Sequence, residues 1–176
     1  MRHPDGEDGS AGEAFWRFSL ALYARPGVAD ALIAIQNRAA RDVNVILFGL
    51  WLGASRGRVL AAGELAGAEA AIAPIVGAVV APLRRLRRQL KASADPDLAA
   101  LRRRIAGLEI AAERRVQYRL AAQPSGGSSA PPEGVRLAAA QANLALYLGG
   151  EAHSPEARLL CQALASLIRR AERAQH

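Results

Sequence analysis

Hydrophobic positions in this chain recur every three or four residues, which is the spacing of one face of an α-helix. The clearest stripe follows Asp95 and comprises Leu98, Leu101, Ile105, Leu108, Ala112 and Val116. No segment shows the strict alternation of apolar and polar residues that is typical of a half-buried β-strand. The sequence therefore predicts an all-α fold, a single-domain helical bundle of about seven helices.

Start and stop signals divide the chain into these helices. Asp42, Asp95 and Ser154 stand where a side-chain oxygen can cap a helix N-terminus, and Pro26-Gly27 ends the first helix. We expect a disordered lead over 1–12, a helical core domain over 13–121, a flexible Pro/Gly/Ser linker over 122–133, and a C-terminal helical pair over 134–176 that packs on the core.

The most apolar stretch is DVNVILFGLWLG, at residues 42–53. It is as apolar as a membrane segment, but the apolar residues from Val43 to Ala54 are too few for a span, which needs about 20. The stretch therefore predicts a buried core helix. Asp42 would cap that helix, and Asn44 in its first turn would satisfy backbone or a neighbouring helix.

Aromatic residues are concentrated in the same region, since six of the eight lie within residues 15–51. We expect them to pack into one cluster on three successive helices. The polar residues among them either satisfy helix ends inside a tight core or line a small pocket, and the sequence leaves both open. The candidate residues for this structural anchor or pocket are Trp16, Ser19, Tyr23, Gln36, Asp42, Asn44 and Trp51.

A second apolar segment runs over residues 64–91, and we expect Pro74 and Pro82 to kink or split it. Its last part is amphipathic, with Leu83, Leu86 and Leu90 on one side and basic residues on the other. The helix after Asp95 carries a matching apolar stripe. The two should pack as an antiparallel hairpin whose outer faces are basic.

The net charge of +7 comes from this hairpin. Residues 84–119 hold 11 of the 23 basic residues and four acidic ones, so the rest of the chain is neutral. Such a segment indicates either a contact with an anionic partner or an ordinary solvated face. The candidate anion-binding residues are Arg84, Arg85, Arg87, Arg88, Lys91, Arg102, Arg103 and Arg104.

Residues for catalysis are hard to find in this sequence. His3, His153 and His176 have no suitably spaced Cys, Asp or Glu, and no phosphate-binding loop is present. We therefore expect no catalytic, cofactor-binding or metal-binding residues, and no cofactor. Cys161 is the single cysteine, which fits a reducing compartment, and the N-terminus lacks the order of a signal peptide. Both features predict a cytoplasmic protein.

The N-terminal block carries a family resemblance. Its motifs are a Phe-Trp-x-Phe-Ser opening, a Tyr-x-x-Pro-Gly-Val turn, a Gln near a helix end and an Asp-Val-Asn step into an apolar helix with a Trp. The residues are Phe15, Trp16, Phe18, Ser19, Tyr23, Pro26, Gly27, Val28, Gln36, Asp42, Val43, Asn44 and Trp51. This block resembles an uncharacterised family of small proteobacterial proteins catalogued as a domain of unknown function. The resemblance implies a shared fold and a cytoplasmic bacterial setting, but no activity.

Four functional hypotheses remain. The leading one is a non-catalytic helical interaction or regulatory protein that acts through a protein partner or as a homo-oligomer, with residues 70–83 as the apolar contact. The first alternative is weak, sequence-independent nucleic-acid binding through the basic hairpin 84–119. The second is peripheral membrane association through residues 70–91, where an apolar run is followed by basic residues. Small-molecule binding at the aromatic cluster is the fourth.

Overall fold

The computed structural model describes residues 7–123 and 131–173, with side chains from Ala11 onward. Within these ranges the protein is an all-α bundle without strands, which confirms the predicted fold class. The helices are α1 (Glu7–Tyr23), α2 (Val28–Ala39), α3 (Val43–Arg56), α4 (Ala62–Ile75), α5 (Ala81–Gln89), α6 (Pro96–Ala121), α7 (Glu133–Leu148) and α8 (Pro155–Arg173). Seven helices result when α4 and α5 are counted as one continuous helix.

Helix α3 lies at the centre of the bundle. Every residue from Val43 to Ala54 is buried, as predicted for a core helix. Its closest neighbour is α7, because Gly49 and Gly53 present bare backbone to that helix. A Cβ on Gly53 would lie 2.3 Å from the Ala140 Cα, so only glycine allows this approach. Helices α1, α6 and α8 also pack on α3.

The first two helices meet at a sharp corner. Helix α1 begins at Glu7, six residues before the predicted start at Glu13, and residues 1–6 lie outside the described residues. The chain turns through Gly27, whose φ of 77° is in the left-handed region that favours glycine. The axes of α1 and α2 then differ by 101°. This corner lets α1 pack along α6 while α2 packs against α8.

The apolar segment after α3 is one helix from Ala62 to Ala92, and neither proline breaks it. Helices α4 and α5 are joined by a π-helical turn over Val76–Val80, in which the Ala81 N–H donates to the Val76 carbonyl. The π turn lies just before Pro82, which has no N–H to donate and whose ring would crowd the carbonyl four residues earlier in a regular α-helix. The sequence predicts a kink or a break at the prolines. The helix instead continues, and the π turn shifts its register by one residue.

The C-terminal helices pack on the core through α3 and α2. Asn143 and Leu144 of α7 are buried, as are Leu160 and Leu164 of α8. Arg38 at the end of α2 forms ion pairs with Glu151 and Glu156, which fixes the turn between α7 and α8. Residues 124–130 of the predicted linker lie outside the described residues.

Candidate interaction surface

The aromatic cluster is smaller than predicted and forms part of the core. Phe15 stacks on Trp51 with 5.0 Å between ring centroids, and Phe48 completes the group. All three side chains are buried. Trp16 points to another side of α1, so the prediction that the aromatic residues form one cluster is wrong. Adjacent positions on a helix differ by about 100°, and Phe15 takes the core side.

Asp42 and Asn44 anchor the start of α3. The Asn44 N–H donates to Asp42 Oδ1 at 2.7 Å, which makes Asp42 the predicted N-cap. The Asn44 side chain is buried, and its Oδ1 accepts a hydrogen bond from Gln117 Nε2 of α6 at 3.1 Å. The Asp42 N–H itself donates to the Tyr147 hydroxyl of α7 at 3.1 Å. The beginning of α3 is thus tied to two other helices.

Asn143 is a buried polar residue that the sequence reading missed. Its Nδ2 donates to the carbonyls of Gly49 and Arg58 at 2.9 and 2.8 Å, and its Oδ1 accepts from the Leu60 N–H at 2.7 Å. These three bonds connect α7 to the middle of α3 and to the segment that follows α3. The sequence did contain a signal for this role. Asn143 lies one helical turn after Ala139 and Ala140, on the apolar face of α7.

The remaining polar candidates from the sequence are Ser19, Gln36 and Tyr23, and the structure does not show them in contact with one another. Ser19 is buried, and its hydroxyl has no hydrogen-bond partner among the described residues. Gln36 is half-buried on α2. Tyr23 is 37% exposed. Partial burial, reinforced by the nearby Glu113 carboxylate, raises the pKa of Tyr23 to about 12. None of Ser19, Gln36 and Tyr23 lines the cleft that lies between α1 and α6.

Trp16 instead lines a shallow cleft of about 590 Å³ between α1 and α6. Arg114 lies over both the Trp16 and the Tyr118 rings, at 5.8 and 5.4 Å from their centroids. It also forms an ion pair with Glu13, to which the Tyr118 hydroxyl donates at 2.7 Å. Arg114 is therefore already neutralised within the chain, whereas Arg115, which also lines the cleft, is exposed.

The basic hairpin exists, but two of its arginines lie inside it. Arg84 Nε and Arg87 Nε donate to the Glu109 carboxylate of α6 at 3.0 and 2.5 Å, and Arg84 also binds Glu113 at 2.5 Å. Burial alone would raise the pKa of the Glu109 carboxyl, but the two guanidinium groups outweigh it, so this pKa lies below its usual value. The prediction that Arg84 and Arg87 belong to the outer basic face is wrong.

The π turn explains this error. In an uninterrupted α-helix, the buried side that contains Ile72 would continue through Val79, Leu83 and Leu86. The π turn contains one extra residue, so the buried side continues instead through Val80 and then Arg84 and Arg87. Val80 is 1% exposed, whereas Val79 and Leu86 are each 42% exposed.

The matching stripe on α6 is also different from the predicted one. Ile105 and Val116 are buried and Ala112 is half-buried, whereas Leu98, Leu101 and Leu108 are 36% to 58% exposed. Glu109 is buried where the helix meets α5. The hairpin is therefore closed by ion pairs in the place where the sequence predicts leucines.

The remaining basic candidates are mostly on the surface. Arg85, Arg88, Lys91, Arg103 and Arg104 are exposed, and none forms an ion pair within the part of the chain that the structure describes. Arg102 is half-buried, and its Nε has no partner there. Five of the eight candidate residues therefore remain exposed on the hairpin.

The most unusual surface is the side of the Ala62–Ala92 helix that faces away from the bundle. This helix has a mean hydropathy of 1.7 over its most apolar stretch, yet only 22% of that stretch is buried. Its exposed side consists mainly of small residues. They are Gly63, Ala66, Gly67, Ala70, Ala73, Pro74, Gly77, Ala78 and Ala81, hereafter the docking face, and Glu64 and Val79 are exposed as well. Arg85 and Arg88 continue the same line toward the C-terminal end.

By length and composition alone, this helix would be long enough to cross a membrane, and α1 with α2 would pass the same test only as a bent pair. Soluble proteins contain such helices when other elements cover them, but here most of the apolar surface is uncovered. Among the described residues, no group of His, Cys, Asp and Glu side chains could hold a metal ion. The docking face is therefore the most distinctive candidate surface.

Comparison with known proteins gives one match. A family model described as "Protein of unknown function (DUF2390)" matches residues 14–120, which include most of α1, all of α2 to α5 and nearly all of α6. No curated protein and no solved structure matches the chain. The matched segment contains the central helix, the docking face and the ion-paired hairpin, and it is more than half of the chain. The protein therefore belongs to this family of unknown function.

Proposed function

We propose that this protein is a non-catalytic helical interaction protein that self-associates through the docking face. The observation that carries this proposal is the 31-residue helix Ala62–Ala92, which is apolar over most of its length but only 22% buried over its most apolar stretch. Soluble monomers rarely expose a continuous apolar surface of this kind. A second protein helix on this surface would remove it from water.

The lone Cys161 suits a reducing compartment, and we propose that the protein is cytoplasmic.

The composition of the docking face favours a protein helix over a lipid surface. Its side chains are Gly, Ala and Pro, which offer little apolar area to a bilayer but let another backbone come close. Amphipathic helices that bind membranes usually present Trp, Phe or Leu. The Ala62–Ala92 helix contains no Trp or Phe, and its large exposed apolar side chains are Val79 and Leu86. The surface is thus shaped for close helix packing.

Peripheral membrane association is the second candidate, and one observation favours it. The docking face continues directly into exposed Arg85 and Arg88, so an apolar surface lies next to cations on the same side of the helix. This arrangement suits an anionic bilayer. Nucleic-acid binding has less support, because Arg84 and Arg87 are already paired with carboxylates and contribute little free positive charge.

Light scattering after gel filtration separates these functions. The purified protein would be run at about 100 mM and about 500 mM salt and at several protein concentrations, with nucleic-acid absorbance read on each peak. The same samples would be floated with vesicles of neutral and of anionic lipid.

Self-association predicts a mass well above the 18.6 kDa of one chain, unchanged by salt and decreasing on dilution. A monomer that floats with anionic vesicles, or one from which high salt removes nucleic acid, would contradict the proposal. A chain that stays monomeric at all concentrations would also contradict it.

A further inference from the structure

We infer that the cleft between α1 and α6 binds an acidic amphipathic helix of another protein, which places one large apolar side chain over Gly107. The inference goes beyond the proposed function, because neither the surface nor the partner is that of the docking face. It follows from the space in the cleft, from the side chains that line it and from the unpaired charge beside it.

The cleft has room for a side chain from outside. Its lining includes Gly107 of α6, and a Cβ added to this glycine would meet no atom within 4 Å. Trp16 and Ile110 line the same space, and Ile110 is 53% exposed. A large apolar side chain over Gly107 would cover both, which removes apolar surface from water.

Positive charge lies beside this space. One line of exposed residues follows α6 at intervals of three or four positions, and part of it also lines the cleft. Its members are Arg104, Leu108, Ala111 and Arg115. Neither arginine of this line forms an ion pair in the part of the chain that the structure describes, and the Glu13 carboxylate at the cleft is already bound by Arg114 and Tyr118. A partner helix with carboxylates beside an apolar stripe complements this pattern.

The arrangement of Arg114 favours a protein over a nucleic acid. Its guanidinium lies over both the Trp16 and the Tyr118 rings, so it covers a face of each ring on which a base would stack. Trp, Tyr and Arg are also the side chains that contribute most binding energy at protein interfaces.

The shape of the cleft points to a helix in particular. A flat bilayer does not enter a concave space, and sites for free small molecules enclose most of the ligand surface, whereas this cleft is shallow. An amphipathic helix inserts single side chains into a groove and keeps the rest of its apolar face on the groove edges.

Nuclear magnetic resonance with a designed probe tests the inference. The probe is a helical peptide of about 18 residues with one Phe in a stripe of Leu, and with Glu on both sides of the stripe. Two control peptides have Lys in place of each Glu, or the same residues in scrambled order. The chain has two tryptophans, so the two indole N–H signals report on the cleft through Trp16 and on the buried core through Trp51.

We expect the acidic peptide alone to shift the Trp16 signal and to leave the Trp51 signal in place. Gly107→Leu fills the cleft from inside and should weaken binding at least about tenfold, as expected when an anchor side chain loses its pocket. Arg115→Glu reverses the charge beside the cleft and should weaken it about threefold to tenfold, with a smaller effect at about 500 mM salt.

Matched controls are available for both substitutions. Gly134→Leu changes another exposed helical glycine whose Cβ would meet nothing within 4 Å, and Arg88→Glu changes an exposed arginine of α5. Both should bind the acidic peptide within about twofold of the wild type, because surface changes away from a site have small effects. An unchanged Trp51 signal verifies that each variant keeps its core.

Three results would overturn the inference. The first is no binding of the acidic peptide, or equal binding of either control peptide. The second is binding that Gly107→Leu and Arg115→Glu weaken no more than their controls do, because the site then lies elsewhere. The third is that anionic vesicles or a single-stranded oligonucleotide, titrated in the same way, bind at Gly107 and Arg115 in place of the peptide.

Discussion

Two helices of this protein contain similarly apolar stretches, but one stretch is buried and the other is mostly exposed. Helix α3 is buried along its whole apolar stretch, whereas the Ala62–Ala92 helix leaves most of its apolar stretch exposed. Each contains a Gly-x-x-x-Gly pair, at Gly49 and Gly53 in the first and at Gly63 and Gly67 in the second. The first pair contacts α7 of the same chain, while the second faces open space.

The difference lies in the sizes of the side chains around these glycines. Helix α3 carries large side chains such as Phe48 and Trp51, which fill the core on several sides and bury a large apolar area. The outer helix combines a few large residues, such as Ile72, with an Ala/Gly/Pro surface on its other side. The same close-packing motif thus organises the core within the chain and, in our proposal, joins two chains.

The largest expected effect compares the two Gly-x-x-x-Gly pairs directly. Gly53→Ala would place a methyl group against the Ala140 backbone and should lower the free energy of unfolding by about 3 kcal/mol. Gly67→Ala should instead raise the stability of the isolated chain by about 0.5–1 kcal/mol, because the added Cβ meets nothing and alanine favours the helix. Denaturant unfolding at a fixed low protein concentration measures both. Equal effects of the two substitutions would contradict the close contact between α3 and α7.

The ion pairs of the hairpin give the next effect. Glu109→Gln should lower the free energy of unfolding at pH 7 by about 1–2 kcal/mol, since Glu109 is buried while Arg84 and Arg87 are partly exposed. The folded-state pKa of Glu109 is lowered, so its contribution is present above its unfolded pKa and is lost as the pH falls through the folded value. The stabilities of wild type and variant should therefore converge in acid. A difference between wild type and variant that does not shrink as the pH falls would argue against the ion pairs.

A smaller effect separates the inner from the outer arginines. Arg87→Ala should cost about 1 kcal/mol because it removes a partner of the buried Glu109. Arg88→Ala, at the next position, should change stability by less than about 0.5 kcal/mol, since its side chain is exposed. Thermal or denaturant unfolding of the two variants and the wild type gives their stabilities, and the difference between the variants tests the register of α5. Equal, small effects of the two substitutions would instead indicate the hairpin in which leucines, and not arginines, face α6.

The sequence was most informative where local chemistry decides the structure. The Asp42 cap, the burial of α3 and the cap at Asp95 followed from residues that act on their immediate neighbours. The register of α5 could not be predicted in this way, because it depends on how the helix accommodates Pro82. A kink and a π turn both relieve the proline, and only the packing of Val80 and Glu109 selects the π turn.

The polar contacts between helices were also beyond the sequence alone. Asn44 could be identified as an anchor, but its partner Gln117 lies 73 positions away. Trp16 and Trp51 look alike in the sequence, yet only Trp51 faces the core. Helical spacing shows which side of a helix is the most apolar. The number of neighbouring helices then decides how many of its sides are buried.

The central claim is that the docking face is covered by another copy of the chain, and one pair of variants tests it most directly. Ala73→Glu places a carboxylate beside Pro74 on the exposed side of α4, while Ala138→Glu makes the same change at an exposed position of α7. Light scattering after gel filtration would give the mass of each variant and of the wild type at one concentration. We expect Ala73→Glu to be monomeric and Ala138→Glu to keep the mass of the wild-type assembly, because only the first buries a charge in the interface. Assemblies of equal mass in all three proteins would contradict the account.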